Sequence, residues 1–548
     1  MASALLHGGM LTYGLRYWWP LARLADNPDA AQARVLARIL RANRDTDFGR
    51  EHRFDNIASI EDFRAAVAIH DFEALRRYVD RQRRTGRLAL TCEQPRFYAH
   101  TSGSTGQPKH IPITPSLLRL HQSEQALFTY LQYRSCPDAF AGKAFGIMGA
   151  AVEGYLDSGH PVGSVSGYLY ELLPRPVRSR FVIPPGVSTI ADYDLKYLVM
   201  LRLALGTRDI TYLGSPNPST FLRLLELLEQ RRDTLAASLE TGTLPELEAA
   251  PESARRAVLP LLHKDSARAR ELSGTGRLSF ERLWPPIKLL TTWTGGSCGI
   301  ALDKLRSLLP AETRVMELGY QSTEFRGTIA ITPETSAGLP LVHHHVFEFV
   351  SQDDWDSGCP VFKQFSELEQ GGRYFVVITT AAGLYRYFMN DLVEVNGRFS
   401  NTPLLRFVQK GKGVTSLTGE KLYEGQVIQA VQDVSRGSRV AARFFILVAD
   451  ARSASYTLYI ECDDRQSIPL LQFATAVDER LRALNHEYES KRSSGRLPPL
   501  TVSWIAPGAA EAYKAACIGR GQREGQFKPA VLQYAVDLPL SLDAYVCS

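Results

Sequence analysis

The segment that most restricts this chain is Thr101-Ser-Gly-Ser-Thr-Gly-Gln-Pro-Lys-His110, preceded by Arg96-Phe-Tyr-Ala. A short strand candidate feeds a loop of glycines and hydroxyl residues, closed by Pro108 and Lys109. Small residues let backbone N–H groups converge on phosphate oxygens, hydroxyls add donors, and a lysine adds charge. The loop is not a Walker A sequence, because Pro108 stands where that pattern needs glycine.

Helix and strand signals surround this loop. Pro28, following Asn27, opens a segment with Val35, Leu36, Ile39 and Leu40 at helical spacing, closed around Gly49. Ser219 begins a second helix with Phe221, Leu224, Leu225 and Leu228 on one face. Short β-rich pieces lie at 145–148 and 210–213, and the charged stretch 264–277, carrying Gly and Ser, reads as an exposed loop. The texture changes near Leu404, where a run from Arg406 leads through glycines into Gly419-Glu-Lys421. Strand candidates follow at 444–449 and 455–461, then a helix over 469–489, a polar break at 490–499 and a strand at 500–505. This order predicts a large α/β body over residues 1–408, with β-sheets flanked by helices, and a small α+β domain over 409–548.

Composition narrows the class. Hydrophobic residues make up 45% and charged residues 22% of 548, which excludes a disordered chain. The net charge of +5 is small, and the densest basic run, 76–87, is broken by Asp80. It reads as a solvated helix face rather than a nucleic-acid stripe. The seven cysteines (92, 136, 298, 359, 462, 517 and 547) show no CxxC or CxxH spacing, so neither zinc nor a disulfide framework is indicated. Reduced thiols fit a cytoplasmic location. The longest uncharged run, 1–15, is too short to span a bilayer, and Arg16 and Arg23 follow it, unlike a signal peptide. No nucleic-acid or membrane partner is expected, and no oligomeric state is specified.

Four further strings carry chemistry. Thr291-Thr-Trp-Thr-Gly-Gly-Ser-Cys-Gly299 lies between an apolar stretch and a helix. It also satisfies G-x-S-x-G, so Ser297 as a hydrolase nucleophile is one alternative, with histidines at 343–345 or His486 for a triad. Gly319-Tyr-Gln-Ser-Thr-Glu324 offers an aromatic ring for a base, hydroxyls for phosphate and an acid for Mg²⁺. In Gly383-Leu-Tyr-Arg-Tyr-Phe-Met-Asn-Asp391 the aspartate can take two ribose hydroxyls. Gly519-Arg-Gly-Gln-Arg-Glu-Gly-Gln-Phe-Lys-Pro529 presents a lysine after a glycine-rich segment. His343-His-His345 is read as structural or substrate-lining, since alternate residues of an extended segment face opposite ways.

In their order these strings resemble the adenylate-forming superfamily, and within it the acyl-acid-amido synthetases of the Gretchen Hagen three family. Thr101 to Lys109 is similar to the family's phosphate loop, Tyr320 to Glu324 to its second nucleotide motif, and Thr380 to Asp391 to its third. Asn43…Phe48-Gly49…His52-Arg-Phe, Asp62-Phe-Arg64 and Tyr78-Val-Asp-Arg81 fall in the family's amino-terminal order, so the likeness runs over nearly the whole chain. Two departures separate it from the plant enzymes. The third motif lacks their second arginine and their glycine before the aspartate, and the segment after Lys421 differs from their hinge. Both weigh against a plant-hormone substrate.

The resemblance implies an ATP-dependent ligase. A carboxylic acid becomes an acyl adenylate, and an amine, typically of an amino acid, displaces AMP to form an amide. Ser102, Gly103, Ser104, Thr105, Gly106 and Lys109 would cradle phosphates. Tyr320 would flank adenine, with Ser322 and Thr323 beside the nucleotide, and Glu324 would hold Mg²⁺. Asp391 would bind ribose, and Gly295, Gly296 and Ser297 would line the adenylate. Lys528 matches the family's mobile catalytic lysine, carried on a small mobile C-terminal domain that hinges near 409–413. An acyl-CoA ligase shares the adenylation half-reaction and is the nearest alternative; a non-catalytic nucleotide-binding protein is another.

Overall fold

Four short strands, Lys143–Gly146, Ile210–Gly214, Leu289–Thr292 and Arg314–Glu317, lie side by side in that order and all run parallel. Parallel neighbours need crossover connections. Helices supply them: Tyr193–Leu205 precedes the second strand and Ser297–Arg306 precedes the fourth. Most of their residues are buried, as in a parallel sheet covered on both faces. Phe145, Ile210, Leu213, Leu290 and Val315 share one core with Phe221, Leu224, Leu228 and Trp284.

The computed structural model describes residues 2–101, 109–295, 297–411, 413–438, 440, 442–462, 469–519 and 530–547. The chain divides into two compact units, with the main break between Gln409 and Lys410; Thr101–Lys109 and Ser297–Ala301 group with the second.

In the first unit, an antiparallel sheet orders Phe362–Lys363, Val346–Ser351, Arg373–Thr379, Tyr387–Phe399 and Thr402–Lys410. The amino-terminal helices pack against it. Val35, Leu36, Ile39 and Leu40 of Pro28–Asn43 are buried in the same core as Phe347, Phe349, Val376 and Val393. A third sheet pairs Phe97–Thr101 with Lys109–Ile113 on one side and Pro161–Gly163 on the other.

The second unit orders Thr501–Trp504, Ser455–Cys462, Ala442–Asp450 and Leu532–Tyr534 in one sheet, with Glu424–Ser438 and Leu470–Leu484 packed on it. Glu420, fully buried, accepts from the backbone of Leu417 and Thr418 and from the hydroxyls of Thr418 and Tyr456, at 2.7–2.9 Å.

Three local expectations change. Residues 264–277 are not an exposed loop: Ser266–Ser273 is a helix, capped by Asp265 accepting from Arg268 N at 2.9 Å. Its Arg268 is buried and donates to the carbonyls of Leu205 and Leu283. The helix from Pro28 ends at Asn43, and Gly49 belongs to the next one, Asp47–Glu51. The helix over 469–489 is two helices, Leu470–Leu484 and His486–Ser493, because buried Asn485 turns its side chain to cap Tyr488 N at 2.9 Å.

Candidate active site

At the carboxyl edge of the parallel sheet the last two strands release two loops that carry predicted site residues. Ligands in such sheets bind outside the carboxyl ends of strands. The first loop, after Leu289–Thr292, holds Trp293, Thr294 and Gly295; the second, after Arg314–Glu317, holds Leu318 through Glu324. Glu317 ties them together. It accepts from Thr294 N and Thr294 Oγ1 at 2.5 Å each through Oε2, and from Gly319 N at 3.0 Å through Oε1. Trp293 Nε1 adds a bond to Gly319 O at 3.2 Å. Burial pushes the Glu317 carboxyl up to about 7, against the pull of these donors.

Gly319 adopts φ +92°, and a Cβ there would stand 2.3 Å from Thr328 O, so this turn requires glycine. Tyr320 through Gly327 then folds back on itself, with Gly327 N and Thr328 N both donating to Tyr320 O. The turn aims Tyr320 inward. Its hydroxyl donates to Asp391 Oδ2 at 2.7 Å, its ring lies parallel to Phe407 at 6.0 Å, and Phe325 meets it edge-on at 5.3 Å. Burial and the Asp391 carboxylate raise the phenol well above its ordinary value. Asp391 is itself buried, in Tyr387–Phe399. Glu324 is buried, Ser322 and Thr323 are half-buried, and Ser322 Oγ accepts from Glu324 N at 3.3 Å.

The structure thus joins Tyr320 directly to Asp391, and Thr294, the residue before Gly295, to the Tyr320 loop through Glu317. Lys109 is buried at the start of Lys109–Ile113. Ser102, Gly103, Ser104, Thr105, Gly106, Gly296 and Lys528 lie outside the described residues. Ser297 begins the helix Ser297–Arg306.

The chain matches the GH3 family N-terminal domain over residues 20–313, the GH3 family central domain over 338–410 and the GH3 family C-terminal domain over 425–534. The chain belongs to the GH3 family. It is 25% identical over 557 residues to the indole-3-acetic acid-amido synthetase GH3.15 of Arabidopsis thaliana, with 93% of this chain and 91% of that protein covered. It is also 25% identical to the indole-3-acetic acid-amido synthetase GH3.8 of Oryza sativa subsp. indica, with 92% and 88% covered. The solved structure of the AtGH3.15 acyl acid amido synthetase in complex with 2,4-DB superposes with a TM-score of 0.67 at 22% identity, covering 97% of this chain and 96% of that one. A 2-hydroxyisobutyryl-CoA ligase in complex with 2-HIB-AMP and CoA shares the fold at a TM-score of 0.54 and 14% identity, covering 93% and 90%.

Within this GH3 framework, two structural roles went unrecognised in the sequence. Glu317, at a strand end, gives no signal except its position two residues before Gly319. Arg386 of the third motif is a clamp: it donates twice to Glu348, at 3.0 and 3.1 Å, and to the carbonyls of Arg64 and Val67 at 3.2 and 2.8 Å. The histidines His344 and His345 are buried, and His344 Nδ1 lies 3.0 Å from Glu124 Oε1 while His121 Nδ1 lies 2.8 Å from Oε2. Burial alone would raise the Glu124 carboxyl, but the histidines outweigh it and hold it well below the usual carboxylate range. No group of three or more His, Cys, Asp or Glu among the described residues is arranged to hold a metal, and the seven cysteines stand as thiols.

Proposed function

We propose that this GH3-family acyl acid amido synthetase activates a carboxylic acid with ATP and passes the acyl group to the amine of an amino acid. The observation that carries the reading is the Tyr320–Asp391 pair, set beside the glycine turns of the sheet's carboxyl edge. Tyr320 presents a ring to adenine, and Asp391 presents a buried carboxylate for the ribose hydroxyls. Gly295 leaves backbone open to the adenylate; a Cβ there would come within 3.1 Å of Phe407 O. Lys109 and the hydroxyls of 102–106 shield phosphate charge, which lets an anionic carboxylate approach polyanionic ATP.

In the first step a carboxylate oxygen attacks the α-phosphorus and pyrophosphate leaves. In the second, the amine attacks the acyl carbon, loses a proton, and AMP departs. One buried carboxylate, Glu324, beside the Ser322 hydroxyl suits Mg²⁺, which takes one or two protein carboxylates and fills its remaining positions with phosphate and water. The ion would neutralise phosphate charge. No helix among the described residues is long and apolar enough to cross a membrane; cysteines that stand as thiols fit a cytoplasmic setting.

The test is carboxylate-dependent exchange of pyrophosphate into ATP across aryl, indolyl and aliphatic acids. Exchange with at least one acid, followed by amide formation when amino acids are added, is the expected result. An acyl group that passes to coenzyme A and to no amine would replace this reading with the thioester ligase.

A further inference from the structure

Two residues beyond Glu324, Arg326 stands opposite Gln321 across the fold-back that carries Tyr320. It is buried, at 7% exposure, with its guanidinium 4.5 Å from the centre of the Phe128 ring. Nη2 donates to Leu318 O at 3.0 Å, and buried Nε has no hydrogen-bond partner among the described residues. Glu124 attracts it electrostatically but is already engaged by His121 and His344. Held by one carbonyl, a ring and a carboxylate that it does not hydrogen-bond, this buried cation is only partly compensated, and a further anion would complete its pairing. Desolvation lowers its pKa only to about 10, so it stays charged at neutral pH.

A polar group of the parallel sheet lies within electrostatic reach of this cation. Tyr212 feels the charge of Arg326. It sits in an inner strand, yet it is only partly covered where Ile210, Thr211 and Leu213 are buried. Its phenol oxygen is 2.5 Å from Thr291 Oγ1 and accepts from Gln132 Nε2 at 3.2 Å. Thr291 leads directly into the Thr294–Gly295 turn.

Resting on the ligase reading above, we infer that Arg326 anchors a second carboxylate of the acyl substrate, so the acid this chain activates is a dicarboxylate. A cation paired with the reacting carboxylate would lose that partner once the group became the uncharged acyl carbonyl of the adenylate, whose remaining negative charge sits on the phosphate. One paired with a distal carboxylate keeps it through both half-reactions, while Phe128 and Tyr212 flank the body between. Arg326 is a specificity-determining residue in this role.

The test compares pyrophosphate exchange for acids matched by replacing one carboxyl with methyl: succinate with butyrate, adipate with hexanoate, terephthalate with 4-methylbenzoate. Wild-type protein should favour the better dicarboxylates by about 30-fold or more in kcat/KM, the scale of a buried charge pair. Arg326→Met should collapse that ratio toward one, and Arg326→Lys should restore part of it. A ratio within one variant does not depend on how much of that variant folds. Preference for the monocarboxylates, or a ratio unchanged in Arg326→Met, overturns the inference and leaves the ligase intact. Exchange with no acid at all, with ATP binding demonstrated, overturns the ligase reading and the inference with it.

Discussion

Glu317 shows how one side chain can couple two loops and a proton. As a strand-end carboxylate it collects three donors from Thr294 and Gly319, yet its burial raises its pKa to about 7, from 4.5 in an open chain. The folded state therefore binds the proton more tightly than the unfolded one. Stability from this group is fully present below pH 4.5 and is lost as pH rises through about 7. The shift corresponds to roughly 3 kcal/mol. Glu317→Gln should remove this pH dependence, so the difference in denaturant stability between wild type and variant, measured from pH 4 to 8, should change by that order. Parallel curves would dissociate Glu317 from the titration. Sequence could not reveal this residue, because its role comes from two loops that are distant in the chain and adjacent only at the sheet edge.

Arg386 makes the corresponding point for elements. The motif Gly383-Leu-Tyr-Arg-Tyr387 reads as a nucleotide signature, but its side chains lock the antiparallel sheet to the amino-terminal helices. Tyr385 stacks on Phe48 at 4.5 Å and donates to Leu90 O at 2.9 Å. Arg386, at φ +42°, pairs with buried Glu348 and closes the carbonyl end of Ile60–Ala66 through Arg64 O and Val67 O. Removing one partner of a buried ion pair strands the other, at a cost of about 3–5 kcal/mol. Arg386→Met should lower the stability of the first unit by that amount in equilibrium denaturation; a loss below about 1 kcal/mol would give the pair no more weight than a surface one. Strands and long amphipathic helices were legible from their spacing, as in Pro28–Asn43 and Ala442–Asp450. The helix Ser266–Ser273 was not, because its buried face depends on an arginine whose partners, Leu205 O and Leu283 O, belong to other elements.

At the scale of the whole molecule, the ligase reading needs a residue from the second part of the chain. Lys528 is that residue by family likeness, and its role is a proposal. Charged donors preorganised for the transition state supply on the order of 10²–10³ in rate. Lys528→Ala should therefore cut pyrophosphate exchange by at least that factor while the ATP dissociation constant stays within about threefold, a difference worth under 1 kcal/mol. Exchange at the wild-type rate would exclude Lys528 from adenylation.

The order of motifs along the chain determined the family, and composition determined the broad class, because both are local properties that survive without a fold. Tyr320 and Asp391 were legible as residue types suited to adenine and ribose. That the tyrosine hydroxyl donates to the aspartate was decided only in three dimensions, since 71 residues separate them. Arg326 is the sharpest case. In sequence it is an arginine after a motif; in the structure it is a buried cation beside Phe128, with a buried guanidinium nitrogen that has no hydrogen-bond partner among the described residues. A side chain's desolvation is a property of everything packed around it, and no local pattern encodes that sum.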